Sequence, residues 1–583
     1  MRSNKLRLIM TFFILCFLSL PTLHASNTLN DTNYSYSPTP ISSSIEVVQS
    51  KLLLIEDITD ESGLTVYIRN AGDTSVEDGV LRTELVEGSN LIIIRKNFNI
   101  PLLNPGESTQ IHLKPFGSSM GLFKPFSMIT FSLHAAKMIS FEWGIITRII
   151  GSSVRILGEY FNSPFSSEGY TLFAPELSKE TYLMDNHGHI VHTWKSDYIQ
   201  ALGCYLLEDG SIIRTCLSEL NPIFWAGGLG GRVEIIDWNN TLLWAFDYAT
   251  DTACLHQDVE VLPNGNILMT AWEYKSEEEA IAAGRNPDLL SDEQIWPDTI
   301  IEVKPIGSDQ GEIVWEWHAW NHLIQDFDPT KENYGIVSAH PELIDLNIPI
   351  DTADWMHTNS IDYNQEFDQI LVSIHNFNEI WVIDHSTTTE EAAGHTSGRY
   401  GKGGDLLYRW GNPQNYHAGT KDDIQLFGQH DAQWIDAGNP GAGHILVFNN
   451  GLDVLTFPNL SGRMYSSVDE IIPPVNEQGV YQKNQQEAYG PESPIWSFTM
   501  ENPKDFFSPI ISGCQRLPNG NTLVCHGVGG VFAEVTVNNA FVWVYTNQFP
   551  LMTYFNQFPY IIQGNQVYKI RRYAPDYPGL RYL

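Results

Sequence analysis

Residues 259–272 read VEVLPNGNILMTAW, and residues 514–526 read CQRLPNGNTLVCH. In both stretches apolar residues flank a Pro-Asn-Gly turn, which is the pattern of a β-hairpin. Similar hairpins are read at 204–216, 361–374 and 432–450. Their recurrence along one chain indicates a repeated β unit, and this repeat decides the fold.

A second pattern alternates with these hairpins. It is a pair of strands that carries a tryptophan behind apolar residues, as in VEIIDWNNTLLWAFDY at 233–248 and FAEVTVNNAFVWVYT at 532–546. A hairpin and its outer pair make about four strands, and repetition of such units is typical of a β-propeller. Five units are clear. The C-terminal QVYKIRRYA at 566–574 and the opening segment at 170–194 supply a sixth, which would close the ring with strands from both ends.

The predicted fold class is therefore all-β: a six-bladed β-propeller at 166–583, preceded by a small β-sandwich-like domain and connection at 46–165. Short alternating runs such as GLTVYIRNAG at 63–72 indicate the sandwich. Residues 136–165 are mostly apolar and read as a connection that has room for a short helix.

The N-terminal segment has the features of a secretory signal peptide. Basic residues precede the apolar run LIMTFFILCFLSL at 8–20, and Ala25 supplies a small residue for cleavage. The run is too short to span a bilayer comfortably. We therefore expect a signal at 1–25, a flexible leader at 26–45, and a periplasmic or secreted mature protein without a membrane span.

The charge balance excludes two kinds of partner. The chain has 69 acidic residues against 33 Lys and Arg, for a net charge of −36. Nucleic-acid binding needs a basic surface, and so does docking on anionic lipid. The sequence is compatible with a homo-oligomer and does not specify one.

The cysteines suggest few covalent cross-links. A two-residue Asn519-Gly520 turn would place Cys514 opposite Cys525, where a disulfide could form. The corresponding turn leaves Cys204 and Cys216 out of register, which disfavours a bond there. The alternative is that all the cysteines after the signal are small buried hydrophobic residues.

Three hairpins begin with a histidine in a similar context: His256 in LHQDVEV, His357 in WMHTNSI and His430 in GQHDAQW. Since the first strand of each blade lines the central channel of a propeller, these side chains are expected to converge at one mouth of the channel. Two chemistries remain open. Three histidines can hold Zn²⁺ with one free position, or one imidazole can act as a nucleophile beside acid, base or anion-binding groups.

The phrases DWMHTNSIDYNQEFDQILVS, GGDLLYRWGNPQNY, FGQHDAQW and LHQDVEVLPNGNIL resemble the bacterial arylsulfate sulfotransferase family over most of 168–583. The resemblance implies an exported six-bladed propeller. It also implies transfer of a sulfuryl group from a phenolic sulfate ester to a phenol through a sulfated histidine, without a nucleotide donor. We therefore expect phenolic sulfate donors, phenol acceptors and no cofactor.

Site residues follow from the same resemblance. His430 matches the nucleophile, His357 and Asn359 match the groups that bind the sulfate or the leaving oxygen, and His256 matches a further site histidine. The family usually has an arginine at the end of the hairpin that follows His357, and His375 stands there in this sequence. No metal ligand is implied.

Two other functions stay open on the residues alone. A propeller with this histidine set could bind a ligand or partner without catalysis, and the exchange of arginine for His375 motivates that alternative. A hydrolase with its histidines on a metal ion is the other.

Overall fold

A computed structural model of the chain describes residues 53–59, 64–87, 91–113, 127–135, 142–150, 153–218, 221–452, 463–483, 487–547 and 566–583. The predicted signal and leader lie outside these residues. Contacts divide the chain into two compact units, 1–165 with 540–542 and 166–539 with 543–583. Within the described residues, no helix is both long enough and apolar enough to cross a bilayer.

The strands of the first unit are β1 (Leu53–Thr59), β2 (Leu64–Asn70), β3 (Val80–Glu87), β4 (Leu91–Asn99), β5 (Ser108–Leu113), β6 (Ser127–His134), β7 (Glu142–Ile150) and β8 (Ser153–Asn162). β1, β2 and β5 form a three-stranded sheet, and β8-β7-β6-β3-β4 lie side by side in that order. The short helix considered for 136–165 is not found in the described part of that range. β7 and β8 pair antiparallel there instead, since EWGIITRII and SVRILGEYFN are rich in β-branched and aromatic residues.

The strands of the remaining chain are β9 (Tyr170–Pro175), β10 (Glu180–Asp185), β11 (Ile190–Lys195), β12 (Ile199–Leu206), β13 (Ile212–Leu217), β14 (Gly231–Ile236), β15 (Leu242–Asp247), β16 (Ala253–Val261), β17 (Ile267–Glu273), β18 (Lys275–Ser276), β19 (Gln294–Ile295), β20 (Asp298–Ile306), β21 (Gln310–His318), β22 (Leu323–Ile324), β23 (Ile344–Asp345), β24 (Thr358–Asn364), β25 (Gln369–Ile374), β26 (Glu379–Asp384), β27 (Tyr408–Trp410), β28 (His430–Trp434), β29 (Ile445–Asn449), β30 (Ser467–Ile471), β31 (Trp496–Phe498), β32 (Gly513–Arg516), β33 (Thr522–His526), β34 (Val531–Val535), β35 (Phe541–Thr546) and β36 (Val567–Tyr573).

Helices are few and short in the described residues. The α-helices are α1 (Glu277–Ala283) and α2 (Thr389–Ala392). Single 3₁₀ turns span Pro287–Leu289, Ala319–Asn321, Val337–Ala339, His375–Phe377, Pro413–Tyr416, Lys421–Asp423, Pro503–Asp505 and Pro578–Leu580. The all-β prediction is confirmed at this level.

Most of these strands form antiparallel sheets that follow one another along the chain. We number them I (β11-β10-β9-β36), II (β12-β13-β14-β15), III (β16-β17-β20-β21), IV (β24-β25-β26-β27) and V (β28-β29-β30-β31), and call the adjacent strands β32-β33-β34-β35 sheet VI. In sheet I, the C-terminal strand β36 pairs with β9, so both ends of the repeated region share one sheet as the sequence predicts.

Tryptophans of the outer strands link each of sheets II to VI to the sheet that follows it, whereas the indole of Trp194 in sheet I makes no such bond. Each of five indole N–H groups donates to a backbone carbonyl of the following sheet or its loops. The bonds are Trp244 to Gln310, Trp317 to Gly404, Trp410 to Pro491, Trp496 to Val537 and Trp543 to Asn186, at 2.7–2.9 Å. The last of them runs from sheet VI back to sheet I. A buried indole N–H needs an acceptor, and these bonds supply one.

The hairpin turns at Gly210, Gly265 and Gly520 hold three residues rather than two. Leu517 N donates to Asn521 O at 2.9 Å, and Gly520 takes the left-handed φ of +86°. This loop shifts the register by one, so that Cys514 pairs with Val524 while Gly513 pairs with Cys525. The proposed Cys514–Cys525 disulfide is therefore wrong, because a shift of one residue sends the two side chains to opposite faces. All five described cysteines are free and buried.

The first strands of sheets III, IV and V each carry a β-bulge near their start. The bulges lie between Leu255 and Val259, between Thr358 and Ser360, and between His430 and Gln433. A bulge interrupts the alternation of a strand and re-aims nearby side chains. The segments that carry the predicted site histidines are therefore irregular.

A charged network joins the first strands of sheets III and V, β16 and β28, at their bulges. Lys569 Nζ contacts Asp258 Oδ2 at 2.6 Å and Asp431 Oδ1 at 3.3 Å, and Arg571 pairs with Asp431 at 2.7 Å. The Tyr205 hydroxyl donates to Asp258 at 2.9 Å. Two cations thus balance two buried carboxylates, and every one of these charges has a partner.

Candidate active site

A cavity of about 530 Å³ opens where the bulged strands begin. His357, His375 and His430 line one side of it. Their rings follow in a row, with centroids 5.2 Å apart from His357 to His375 and 5.1 Å apart from His375 to His430. Much of the remaining wall is apolar, and it includes Trp225 and Ile511. Such a site suits an aromatic ring beside polar chemistry.

The ring of His430 is held in one tautomer by Asn450. The Asn450 amide nitrogen donates to Ser508 O and Ile511 O, both at 2.7 Å, so its oxygen faces the ring. That oxygen is 2.8 Å from His430 Nδ1, and Gly428 O is 3.1 Å from the same nitrogen. Nδ1 therefore carries the proton, and Nε2 is left with its lone pair.

Burial and the neighbouring His375 ring hold the pKa of His430 well below its usual range. The imidazole is neutral at physiological pH as a result. A neutral ring with a free Nε2 lone pair is the nucleophilic form of histidine.

His357 forms a dyad with a carboxylate that the sequence analysis did not single out. Its Nδ1 lies 2.5 Å from Asp354 Oδ2, and its Nε2 lies 3.0 Å from the amide nitrogen of Gln257. Burial lowers the pKa of His357, but the Asp354 carboxylate outweighs burial and the net pKa is raised. The indole of Trp272 donates to Asp354 Oδ1 at 2.9 Å and fixes the carboxylate. This histidine can hold and release a proton near neutral pH.

His375 is a neutral ring between the other two. Its Nδ1 contacts Asn376 Oδ1 at 2.8 Å, and the Asn376 amide donates to Asp354 O. Burial and the charge of His357 lower the pKa of His375 to about 4. In this state its Nε2 accepts hydrogen bonds and does not donate them. It therefore lacks the charge of the arginine that the resemblance implies at this position.

Two predicted site residues do not line the cavity. His256 is buried behind it and stacks on Trp272 at 4.3 Å, with Nε2 3.4 Å from Asp298. The Asn359 side chain donates to Gln429 O at 2.6 Å and is fully buried. His256 thus lies beneath the Asp354–His357 dyad, and Asn359 ties β24 to the residue that precedes His430.

Sequence reasoning missed Gln257, Asp354, Asn376 and Glu176, which line the cavity. Burial raises the pKa of Glu176 to about 7. Gln257 and Asp354 each lie within three residues of a predicted histidine, so position along the chain could have suggested them. Glu176 follows β9, a different sheet, and no local pattern marks it. None of the described lining residues is Lys or Arg.

The distances between possible ligand atoms argue against the zinc alternative. In the described part of the chain, the ligand atoms of three metal-binding side chains come within 4.8 Å of one another at His322, His395 and Asp405, and not at the site histidines. His256, His357 and His430, the histidines of the zinc alternative, are therefore not arranged as a three-histidine zinc centre.

Comparisons with known proteins give a family and a weak structural likeness. A Bacteroides caccae protein of unknown function aligns at 12% identity and a TM-score of 0.37, over 70% of this chain and 98% of its own. A candidate 6-phosphogluconolactonase from Bacteroides fragilis aligns at 10% identity and 0.33, over 70% and 99%. TM-scores this low do not establish a shared fold. No match was found among curated proteins.

The family comparison is decisive. The arylsulfotransferase (ASST) model matches residues 165–549, which span both the cavity and all three lining histidines. That match covers more than half of the chain, and it implies a sulfotransferase that uses phenolic substrates. The chain belongs to the arylsulfotransferase family.

Proposed function

We propose that this protein is an exported arylsulfate sulfotransferase that moves a sulfuryl group from a phenolic sulfate ester to a phenol, with His430 as the nucleophile. The observation that carries the proposal is the Asn450–His430 hydrogen bond. It keeps the proton on Nδ1 and leaves the Nε2 lone pair for sulfur. We further propose that sheets I to VI are six blades of a propeller, because tryptophan bonds run in order from sheet II to sheet VI and from sheet VI to sheet I.

In the first half-reaction, His430 Nε2 attacks the sulfur of the donor and the sulfur–oxygen bond to the aryl group breaks. The ring keeps its Nδ1 proton and gains positive charge, which the Asn450 and Gly428 oxygens stabilise. Protonated His357 gives its proton to the departing phenolate. A loose transition state of this kind is stabilised mainly by positioning and by hydrogen bonds to the peripheral oxygens.

In the second half-reaction, neutral His357 takes the proton of an acceptor phenol. The phenolate oxygen attacks sulfur, the nitrogen–sulfur bond breaks, and His430 returns to its starting form. Because the intermediate is covalent, the kinetics are ping-pong. The Gln257 amide donates to His357 Nε2 while that ring is neutral, and it turns to the sulfate oxygens when His357 is protonated. The periplasm or the medium is the expected location.

The test uses purified protein and 4-nitrophenyl sulfate, with and without added phenol. We expect nitrophenol release that rises with phenol, and a loss of at least about 10³-fold in His430→Asn. After incubation with donor alone, mass spectrometry should find one SO₃ group on the peptide that contains His430. The matched control His340→Asn changes an exposed histidine and should retain full activity.

Release that does not depend on phenol would make the protein a sulfatase. Two results would contradict the proposal: an active His430→Asn variant, or no release from any aryl sulfate by folded protein. The second would favour a binding propeller without catalysis.

A further inference from the structure

A second polar cluster lies away from the cavity. It consists of His322, His395 and Asp405, and none of the three lines the active-site cavity. His322 and Asp405 are buried, while more than half of the His395 side chain is exposed. One ligand atom from each lies within 4.8 Å of the other two.

Both imidazoles point at the same carboxylate oxygen. His322 Nδ1 is 2.8 Å from Asp405 Oδ1, and His395 Nδ1 is 2.7 Å from it. The two rings are perpendicular, with centroids 5.8 Å apart. Three ligand atoms therefore converge from two segments of the chain.

The other nitrogen of His322 sets its tautomer. Nε2 lies 2.9 Å from Ala392 O, a carbonyl that can only accept, so Nε2 carries a proton. In a neutral ring the Nδ1 lone pair then faces Asp405 Oδ1, and two acceptors oppose each other. A cation between them, or a proton bound between the imidazole and the carboxylate, relieves the conflict. A histidine that donates its remote N–H to a carbonyl is the usual arrangement around a bound metal ion.

We propose that His322, His395 and Asp405 bind a divalent transition-metal ion, Zn²⁺ in the first instance. Two imidazole nitrogens and one carboxylate oxygen are a common zinc ligand set, and water would complete the tetrahedron. Zinc ligands lie about 2.0–2.2 Å from the ion, so the three atoms must move slightly apart. His395, the exposed member, is free to make that movement.

The role of this ion is structural. The Trp317 indole, which stacks on His322 at 5.5 Å, donates to Gly404 O beside Asp405. An ion here would fasten the loop at 394–405 to the segment after β21. The described cysteines are all free, so the ion would supply a cross-link between two segments that no disulfide among these cysteines provides.

The experiment measures metal binding by the full-length protein after removal of metal with a chelator. We expect one equivalent of Zn²⁺ to bind and to raise the melting temperature. Co²⁺ in its place should give the visible absorption of a tetrahedral site. His395→Ala should lose the bound equivalent and the thermal shift, and Asp405→Asn should weaken binding.

The matched control is His340→Ala, which removes an exposed histidine paired with Glu342 and should bind like the parent. The proposal is overturned if the parent binds no stoichiometric metal, or if His395→Ala binds as tightly as the parent. The first outcome would identify the cluster as a hydrogen-bonded contact of two histidines with Asp405 that needs no ion. Because none of these readouts is transferase activity, the result does not depend on the proposed function.

Discussion

The proton on His430 Nδ1 is fixed by residues far away in the chain. Asn450 follows β29, and the carbonyls that orient its amide belong to Ser508 and Ile511. An oxygen aimed at Nδ1 holds the tautomer in the way a carboxylate does in hydrolytic triads, but without a negative charge. Burial and the neighbouring His375 ring keep the pKa of His430 low, and the hydrogen bond from uncharged Asn450 does not reverse this, so the ring stays unprotonated and nucleophilic.

Asp354 controls the acid–base residue, and its replacement should show this. In Asp354→Asn the charge that raises the pKa of His357 is lost, and burial then lowers that pKa. Less imidazolium is present at neutral pH, so transfer should fall by about 100-fold, within the range for a lost general acid. The basic limb of the pH–rate profile should also move to lower pH.

The dependence on leaving group separates this role from a structural one. Donors with basic phenols need the proton most, so they should lose far more activity in Asp354→Asn than 4-nitrophenyl sulfate does. An equal loss for every donor would contradict the assignment.

His375 makes the folded protein sensitive to acid. Its pKa is lowered from 6.5 to about 4, so the folded state binds fewer protons than the unfolded chain between these values. Stability therefore falls as the pH falls through that window, by about 3 kcal/mol in full. In His375→Asn the difference in unfolding free energy between pH 7 and pH 4 should shrink by about this amount, as measured by denaturant titration. An unchanged difference would argue against a neutral buried ring.

At the scale of elements, hairpin loops set the register of the repeated sheets. The β16–β17 loop closes with Leu262 N donating to Asn266 O, and Gly265 has a φ of +85°. The same geometry recurs at Gly210 and Gly520. A three-residue loop with its last residue in the left-handed region is common in hairpins, and glycine meets that requirement at no steric cost.

Gly265→Ala should lower the unfolding free energy by about 1 kcal/mol, because a β-carbon is unfavourable at this φ. A β-carbon there meets no atom within 4 Å, so the loss reports backbone strain and not a clash. Gly265→Asn is the matched variant and should lose less, since asparagine tolerates the left-handed region. Equal losses in the two variants would point to a different cause.

Sequence patterns predicted the repeated hairpins, the pairing of β9 with β36 and the convergence of His357 with His430. They did not give the loop length, because Pro-Asn-Gly fits a two-residue and a three-residue turn equally well. The extra loop residue shifts the register of the hairpin by one, and this shift prevents a disulfide between Cys514 and Cys525. Asn450 and Glu176 could not be predicted from the sequence for another reason. They follow strands other than those that begin at the site histidines, and contacts between distant segments leave no local pattern in the sequence.

At the scale of the molecule, the charge of −36 opposes the approach of an anionic donor. Salt screens this repulsion, since the Debye length falls from about 30 Å at 0.01 M to about 8 Å at 0.15 M. We expect kcat/KM for an aryl sulfate to rise several-fold over that range, while the same constant for a neutral phenol acceptor stays level. Stopped-flow or steady-state assays at several salt concentrations would measure both. A fall in donor kcat/KM with salt would reveal a local positive field at the mouth.

The pairing of β9 with β36 has a consequence in time. A ribosome adds about 5–20 residues per second, so the strand that begins the repeated region waits for its partner until almost the whole chain has been made. Sheet I cannot be completed before then, and long-range pairing of this kind is slow even in a finished chain. For the exported protein that we propose, such a delay would favour passage out of the cytoplasm in the unfolded state. A copy that is cut short before Val567 lacks the strand that completes sheet I.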